Sequence, residues 1–149
     1  MSYRKYARKL VLVEEKDESF VSAKIGCSAD INKYIRQFYD SDINIYESCF
    51  LLCLNRANRV NSWVKISQGG LIGTVVDIRI ILKYAIDSLS TTIVIVHNHP
   101  SGNLLPSQAD RDLTTKLSNA AKYMDIQLLD HLIIADDNKY FSFADEGII

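Results

Sequence analysis

Apolar residues change their spacing several times along this chain, and each change marks an element. Residues 10–13 and 20–25 alternate on either side of the charged stretch EEKDES, the pattern of a strand pair closed by a turn. From Ser28 the period lengthens. Ile31, Tyr34, Ile35 and Phe38 fall at i, i+3, i+4 and i+7, which predicts a helix that Ser28 can cap and that ends near Asp40. Strands are expected at about 45–54 and 59–66, joined by Asn55-Arg56-Ala57-Asn58, a polar turn of hairpin length. After the break SQGG, Thr74 or Asp77 opens a second helix with Ile78, Ile81, Leu82, Ala85 and Leu89 on one stripe.

TTIVIV is β-branched throughout and apolar from Ile93 on, as expected of a central strand buried on both faces. The loop HNHPSGNLLP, which holds both prolines, leads into a third helix with Ala109, Leu113, Leu117, Ala120 and Met124 along one side. Two closing strands, about 126–134 and 139–143, flank the turn Ala135-Asp136-Asp137-Asn138. The order predicts an α/β fold with helices interspersed between strands of one sheet.

Composition narrows this picture. At 149 residues, with no linker or repeat, residues 1–149 are expected to form one domain. A chain that is 48% hydrophobic and 23% charged matches a soluble globular protein. No apolar run approaches the ~18 residues of a membrane helix. MSYRKYARKL lacks the apolar core of a secretory signal, so no membrane association and a cytoplasmic location are expected. Three cysteines, an odd number, argue against a disulfide framework, and Cys49 and Cys53 share a strand face with Leu51, which predicts buried structural roles. A net charge of −1 argues against a whole-surface nucleic-acid binder. The basic end at 1–9, with Arg4, Lys5, Arg8 and Lys9, reads as a solvated, frayed segment.

The chemistry concentrates after TTIVIV. His97 and His99 stand at i and i+2, so a strand aims both imidazoles at one point. Ser107-Gln108-Ala109-Asp110 then starts a helix, and a helix start facing the C-terminal end of a central strand is where open α/β sheets place ligands. Two imidazoles and a carboxylate suit one Zn²⁺ per chain, held by His97, His99 and Asp110 with a fourth position open to water. A metal so held lowers the pKa of water toward ~7 and polarises a carbonyl. Taken singly, the histidines could be loop residues and Ser-x-x-Asp a capping box. Their combination at these offsets favours the metal.

The spacing of H-N-H-P and S-x-x-D resembles the JAMM signature of MPN-domain metalloproteases. VIVHNHPSGNLLPSQADRDLT, followed by LLDHLII, with IYESCFLLCLNRANRV upstream and YFSFADEG near the end, is similar to the bacterial RadC family over about residues 28–147. The resemblance implies a JAB/MPN fold, similar to cytidine deaminase, with a curved mixed sheet flanked by helices. It implies that His97, His99 and Asp110 are metal ligands, that Glu47 is the general acid/base, and that Ser107 stabilises the oxyanion. Two departures are visible. The chain resembles only the catalytic part, without the N-terminal helix-hairpin-helix region of longer members, and TVVDIRIILKYA has Ile78 where those members carry proline in V-x-P-R-E. His131, in LLDHLII, reads as a structural histidine outside the ligand set, with Asp130 facing the other way.

The function so implied is a zinc-dependent hydrolase that cleaves a peptide or isopeptide bond in a peptide or protein substrate. A DNA-repair factor and a non-catalytic metal-binding module are the alternatives. Weak, sequence-independent DNA binding at most is expected from the charge balance. HNH nucleases spread their namesake residues over a ββα unit, unlike the consecutive triplet here.

Overall fold

A computed structural model of the chain describes residues 21–69 and 75–149. Five strands form one sheet: β1 (Ser48–Leu54), β2 (Val60–Gln68), β3 (Thr92–Asn98), β4 (Gln127–Ile134) and β5 (Tyr140–Ser142), in the order β2-β1-β3-β4-β5. The β3–β4 pair is parallel and the other three are antiparallel, so the sheet is mixed. A parallel pair needs a long crossover, and α3 (Gln108–Lys122) supplies it. The other helices are α1 (Ser28–Ile35), continued by a 3-10 turn over Arg36–Phe38, and α2 (Ile78–Asp87). Among the described residues no helix is long and apolar enough to cross a membrane.

All seven residues of β1 and all seven of β3 are buried, because a layer covers each face of the sheet. Ile31, Tyr34 and Ile35 of α1 pack with Phe50, Leu52, Val94 and Val96 on one face. Ile81 and Ala85 of α2 and Leu117 and Ala121 of α3 pack with Leu51, Cys53, Ile93 and Ile95 on the other. Full burial of one such aliphatic side chain contributes about 1.5–3 kcal/mol. The middle of the sheet is thus buried on both faces, and the site is built where β3 leaves it. β2 lies at an edge and shows the half-buried alternation of a strand with solvent on one side.

Several expected details are corrected. The predicted strand at 10–13 and the charged turn after it lie outside the described residues, as does Thr74. Of the strand expected at 20–25, the described part reduces to one bridge, Lys24 with Arg59, beside the β1–β2 turn. α1 is capped by Cys27; the Asp30 carboxylate accepts from the Gly26 and Cys27 amides, and the Ser28 hydroxyl turns instead to Asp145 and Tyr140. β1 begins at Ser48, later than expected, and leaves Ile45 and Tyr46 exposed. Asp77 caps α2 by accepting from the Arg79 amide. Leu89, placed on the α2 stripe by periodicity, follows the helix end at φ +52° and is exposed. The stripe of α3 is rotated by one position. Ala109 and Met124 face solvent, while Asp110, Thr114, Leu117 and Ala121 face the sheet. The rotation puts two polar residues on the inner face, and both belong to the site.

Candidate metal centre

β3 alternates its side chains across the sheet. Ile93, Ile95 and His97 face the α2 and α3 layer, whereas Val94, Val96 and Asn98 face the α1 layer. His97 is the last buried residue on its face, and His99 follows just past the strand end. Their Nε2 atoms stand 3.0 Å apart. Asp110, in the first turn of α3, completes the cluster: its Oδ1 is 3.1 Å from His97 Nε2 and its Oδ2 is 3.6 Å from His99 Nε2. One donor atom from each residue fits within 4.8 Å of the other two. His97, His99 and Asp110 can therefore hold a metal ion.

Asp110 divides its carboxylate between two tasks. Oδ2 accepts from the Ser107 amide at 2.7 Å and from the Ser107 hydroxyl at 2.6 Å, while the Asp110 amide donates back to Ser107 Oγ at 3.1 Å. This is the reciprocal cap of α3. Oδ1 is left for His97, while Oδ2 also faces His99. The two readings of Ser-x-x-Asp, cap and ligand, are thus compatible in one side chain. Burial opposes ionisation of Asp110, but the adjacent His97, His99 and Ser107 side chains outweigh it and hold the carboxyl far below its ordinary range. The same contact raises His99 above the usual imidazole value.

The histidines are held from behind by different groups. His99 Nδ1 lies 2.5 Å from the Asn103 carbonyl in the loop. His97 Nδ1 lies 2.8 Å from Nε2 of His131 in β4, whose Nδ1 is 2.6 Å from the Thr114 hydroxyl. The His131 ring stacks on Phe143, with centroids 4.6 Å apart and planes 7° from parallel. Burial first, and the neighbouring His97 second, push the His131 pKa well below the ordinary imidazole value, so it stays neutral. Asp130 faces the opposite side, as expected, and accepts from the His131 and Ala144 amides and the Ser142 hydroxyl. It anchors the β4–β5 end against which Phe143 sits.

Glu47 immediately precedes β1. Cys49 pairs with His97 across β1 and β3, and counting back two residues brings Glu47 level with His99 on the same face. Glu47, Val75, Val76, His97, Ala109, Asp110 and Leu113 line one cavity of about 250 Å³. A larger cleft, about 990 Å³, lies at the other end of the sheet beside Thr91, Thr92 and Lys122, away from this cluster.

Sequence reasoning missed two contributors, Asn98 and Thr114, and left His131 without a role. Asn98 is wholly buried. Its Oδ1 accepts from the Ser48 amide at 2.8 Å, and its Nδ2 donates to the Ile43 and Tyr46 carbonyls at 2.6 and 2.8 Å. Tyr46 and Ser48 flank Glu47, so the residue between the two histidines pins the backbone that carries the glutamate. Asparagine is depleted in strands, and its place between the two histidines, just after the apolar run that ends at Val96, was the available signal. Thr114 carried a similar one, a polar residue between Asp110 and Leu117 on a helix face turned inward.

The family model for the RadC-like JAB domain matches residues 25–148. The chain belongs to this family. Among relatives of the RadC-like JAB domain described here, a UPF0758 protein of Flavobacterium johnsoniae is 46% identical over 103 residues, covering 69% of this chain and 44% of its own. A UPF0758 protein of Porphyromonas gingivalis is 43% identical over the same share of this chain and 45% of its own. One of Coxiella burnetii is 37% identical over 128 residues, 85% of this chain and 55% of its own. The chain thus spans about half the length of the curated relatives it matches. Cys49 and Cys53 are free and buried, and burial raises the Cys49 thiol to about 12.

Proposed function

We propose that this RadC-like JAB domain is a zinc-dependent hydrolase that cleaves an amide bond, in a peptide or an isopeptide, with His97, His99 and Asp110 as ligands to one zinc per chain. The observation that carries the reading is the convergence of those three donors, two of which, His97 and Asp110, line a cavity that Glu47 also lines. Mixed imidazole and carboxylate donors favour zinc over magnesium or calcium, which prefer all-oxygen shells. Zinc bound there supplies a Lewis acid and water acidified toward neutrality.

The chain's own residues do the rest. Glu47 takes a proton from the attacking water and later delivers it to the leaving amine, the general acid/base work that contributes on the order of 10² to 10⁴ in rate. Asn98 keeps the Glu47 backbone in register with the ligands. Val76 and Leu113 supply apolar wall that limits competing water. Ser107 is the donor we assign to the developing oxyanion, which requires its proton to turn away from Asp110 Oδ2.

The test starts with native mass spectrometry of purified protein, expected to show one zinc per chain. A screen of peptide and isopeptide libraries with the zinc-loaded protein follows. On a substrate so found, Glu47→Gln is expected to retain zinc and lose turnover by about 10² to 10⁴. Full activity in Glu47→Gln, or zinc retained at full occupancy in His97→Ala/His99→Ala, overturns the reading.

A further inference from the structure

We infer that Thr114 and His131 are positioning residues that fix the ring orientation and tautomer of His97, so that its Nε2 electron pair is aimed at the metal position before any ion arrives. The inference rests on the metal-site reading above and adds to it a directed hydrogen-bond relay.

The direction of the relay follows from a single proton. Thr114 Oγ1 is 2.6 Å from the Asp110 backbone carbonyl and 2.6 Å from His131 Nδ1. A carbonyl oxygen cannot donate, so the bond to Asp110 takes the only hydroxyl proton that Thr114 has. Thr114 must then accept from His131, which places the ring proton of His131 on Nδ1. The His131 ring is wholly buried between a hydroxyl and an imidazole, with no carboxylate among its hydrogen-bond partners, so it carries no second proton and its Nε2 accepts. His97 Nδ1, 2.8 Å away, must donate to it. His97 Nε2 is left with its electron pair facing His99 Nε2 at 3.0 Å and Asp110 Oδ1 at 3.1 Å.

The relay begins at the main chain of Asp110, passes through Thr114 and His131, and ends at His97, whose bare Nε2 lies 3.1 Å from the Asp110 side chain. Two of the three ligands are thereby tied to one another through residues that never touch the ion. The stacked Phe143 ring fixes the plane of His131, and full burial of that ring keeps water from offering it an alternative partner. His99 reaches the same state separately, because the Asn103 carbonyl can only accept from its Nδ1. Two bare nitrogens and a carboxylate around one point repel each other until a cation, a proton or a metal, enters.

Thr114→Val removes the hydroxyl while keeping the shape, and Thr114→Ser restores the hydroxyl. Long-range ¹⁵N–¹H correlation spectra of the metal-free protein at neutral pH or above are expected to show His131 as the Nδ1–H tautomer and His97 with Nδ1 protonated. Thr114→Val is expected to lose the uniform tautomer and to bind zinc about 10- to 100-fold more weakly in competition with a chromophoric chelator. Thr114→Ser is expected to recover most of both, with the melting temperature of each metal-free variant as the control for folding. A parent protein whose His131 carries its proton on Nε2 overturns the relay without any variant being made. Zinc affinity and tautomers unchanged in Thr114→Val also overturn it, and leave the metal site standing. Failure of the parent to bind zinc overturns the metal-site reading and this inference with it; His131 still on its Nδ1–H tautomer would mark that failure as the metal site's, with the hydrogen-bond direction correct.

Discussion

His97 and His99 are two residues apart, yet the end of β3 and the loop that follows hold them in different ways. The His97 side chain is 4% exposed, sits between strands, and is backed by a buried imidazole, a buried hydroxyl and a stacked phenyl ring. The His99 side chain is 15% exposed and is backed by one carbonyl of its own loop, four residues on. One histidine is part of the core and the other is local. A metal site built on them would have a rigid reference donor and an adaptable one. Errors at His97 must spread into the fold, whereas errors at His99 stay at the surface.

The largest expected effect separates the two histidines without any metal. In metal-free protein, His97→Ala removes buried ring volume and strands the His131 Nε2 acceptor, at a cost of about 2–4 kcal/mol. His99→Ala is expected to cost under about 1 kcal/mol, as at most partly exposed positions. Urea unfolding after exhaustive chelation measures both. Equal losses would erase the distinction between core ligand and loop ligand.

A smaller effect is expected from pH. His131 has a folded-state pKa well below its ordinary value of 6.5, with burial as the main cause. Below that ordinary value the unfolded chain takes up a proton that the folded chain refuses, so stability falls as pH drops. The slope approaches about 1.4 kcal/mol per pH unit for one such group. His99 works in the opposite sense. Its folded pKa is raised by Asp110, so its contribution is complete below 6.5 and is lost as pH rises through the raised value. Stability of the metal-free protein between about pH 7.5 and 5 should therefore become more acid-sensitive in His99→Ala and less so in His131→Phe. Identical profiles in the two variants would show that the buried ring and the loop ring do not differ electrostatically.

The smallest effect concerns the loop. Gly102 adopts φ +78°, in the left-handed region, with open space around the position of a side chain. Gly102→Ala thus meets backbone strain only, about 1 kcal/mol. Zinc affinity is expected to fall by less than tenfold, because His99 keeps its own carbonyl partner and can follow the loop. A loss in Gly102→Ala as large as that of Thr114→Val would mean that the loop ligand is held as tightly as the strand ligand.

Local pattern alone carried much of this protein. TTIVIV had to be a central strand because an unbroken β-branched run is stable only when covered on both faces, and β3 is buried along its whole length. H-x-H at a strand end fixed two convergent imidazoles through the two-residue repeat of a strand, and Asp110 entered through the cap that starts α3. These are short-range consequences of backbone geometry, so a linear reading finds them.

Other features depended on contacts that no local window contains. The stripe of α3 was misplaced by one position because apolar periodicity treats Asp110 and Thr114 as outward-facing, whereas both turn inward to partners on β3 and β4. His131 reaches His97 only because β4 pairs in parallel with β3 and sets His131 opposite Ile95, two residues along the strand from His97 and on the same face. Asn98 reaches Tyr46 and Ser48 across about fifty residues of chain, since β1 pairs antiparallel with β3. The residues able to bind an ion were legible because their spacing is local. The proton order behind them was decided by strand register, which brings distant polar atoms within hydrogen-bond distance and leaves each buried proton one place to go.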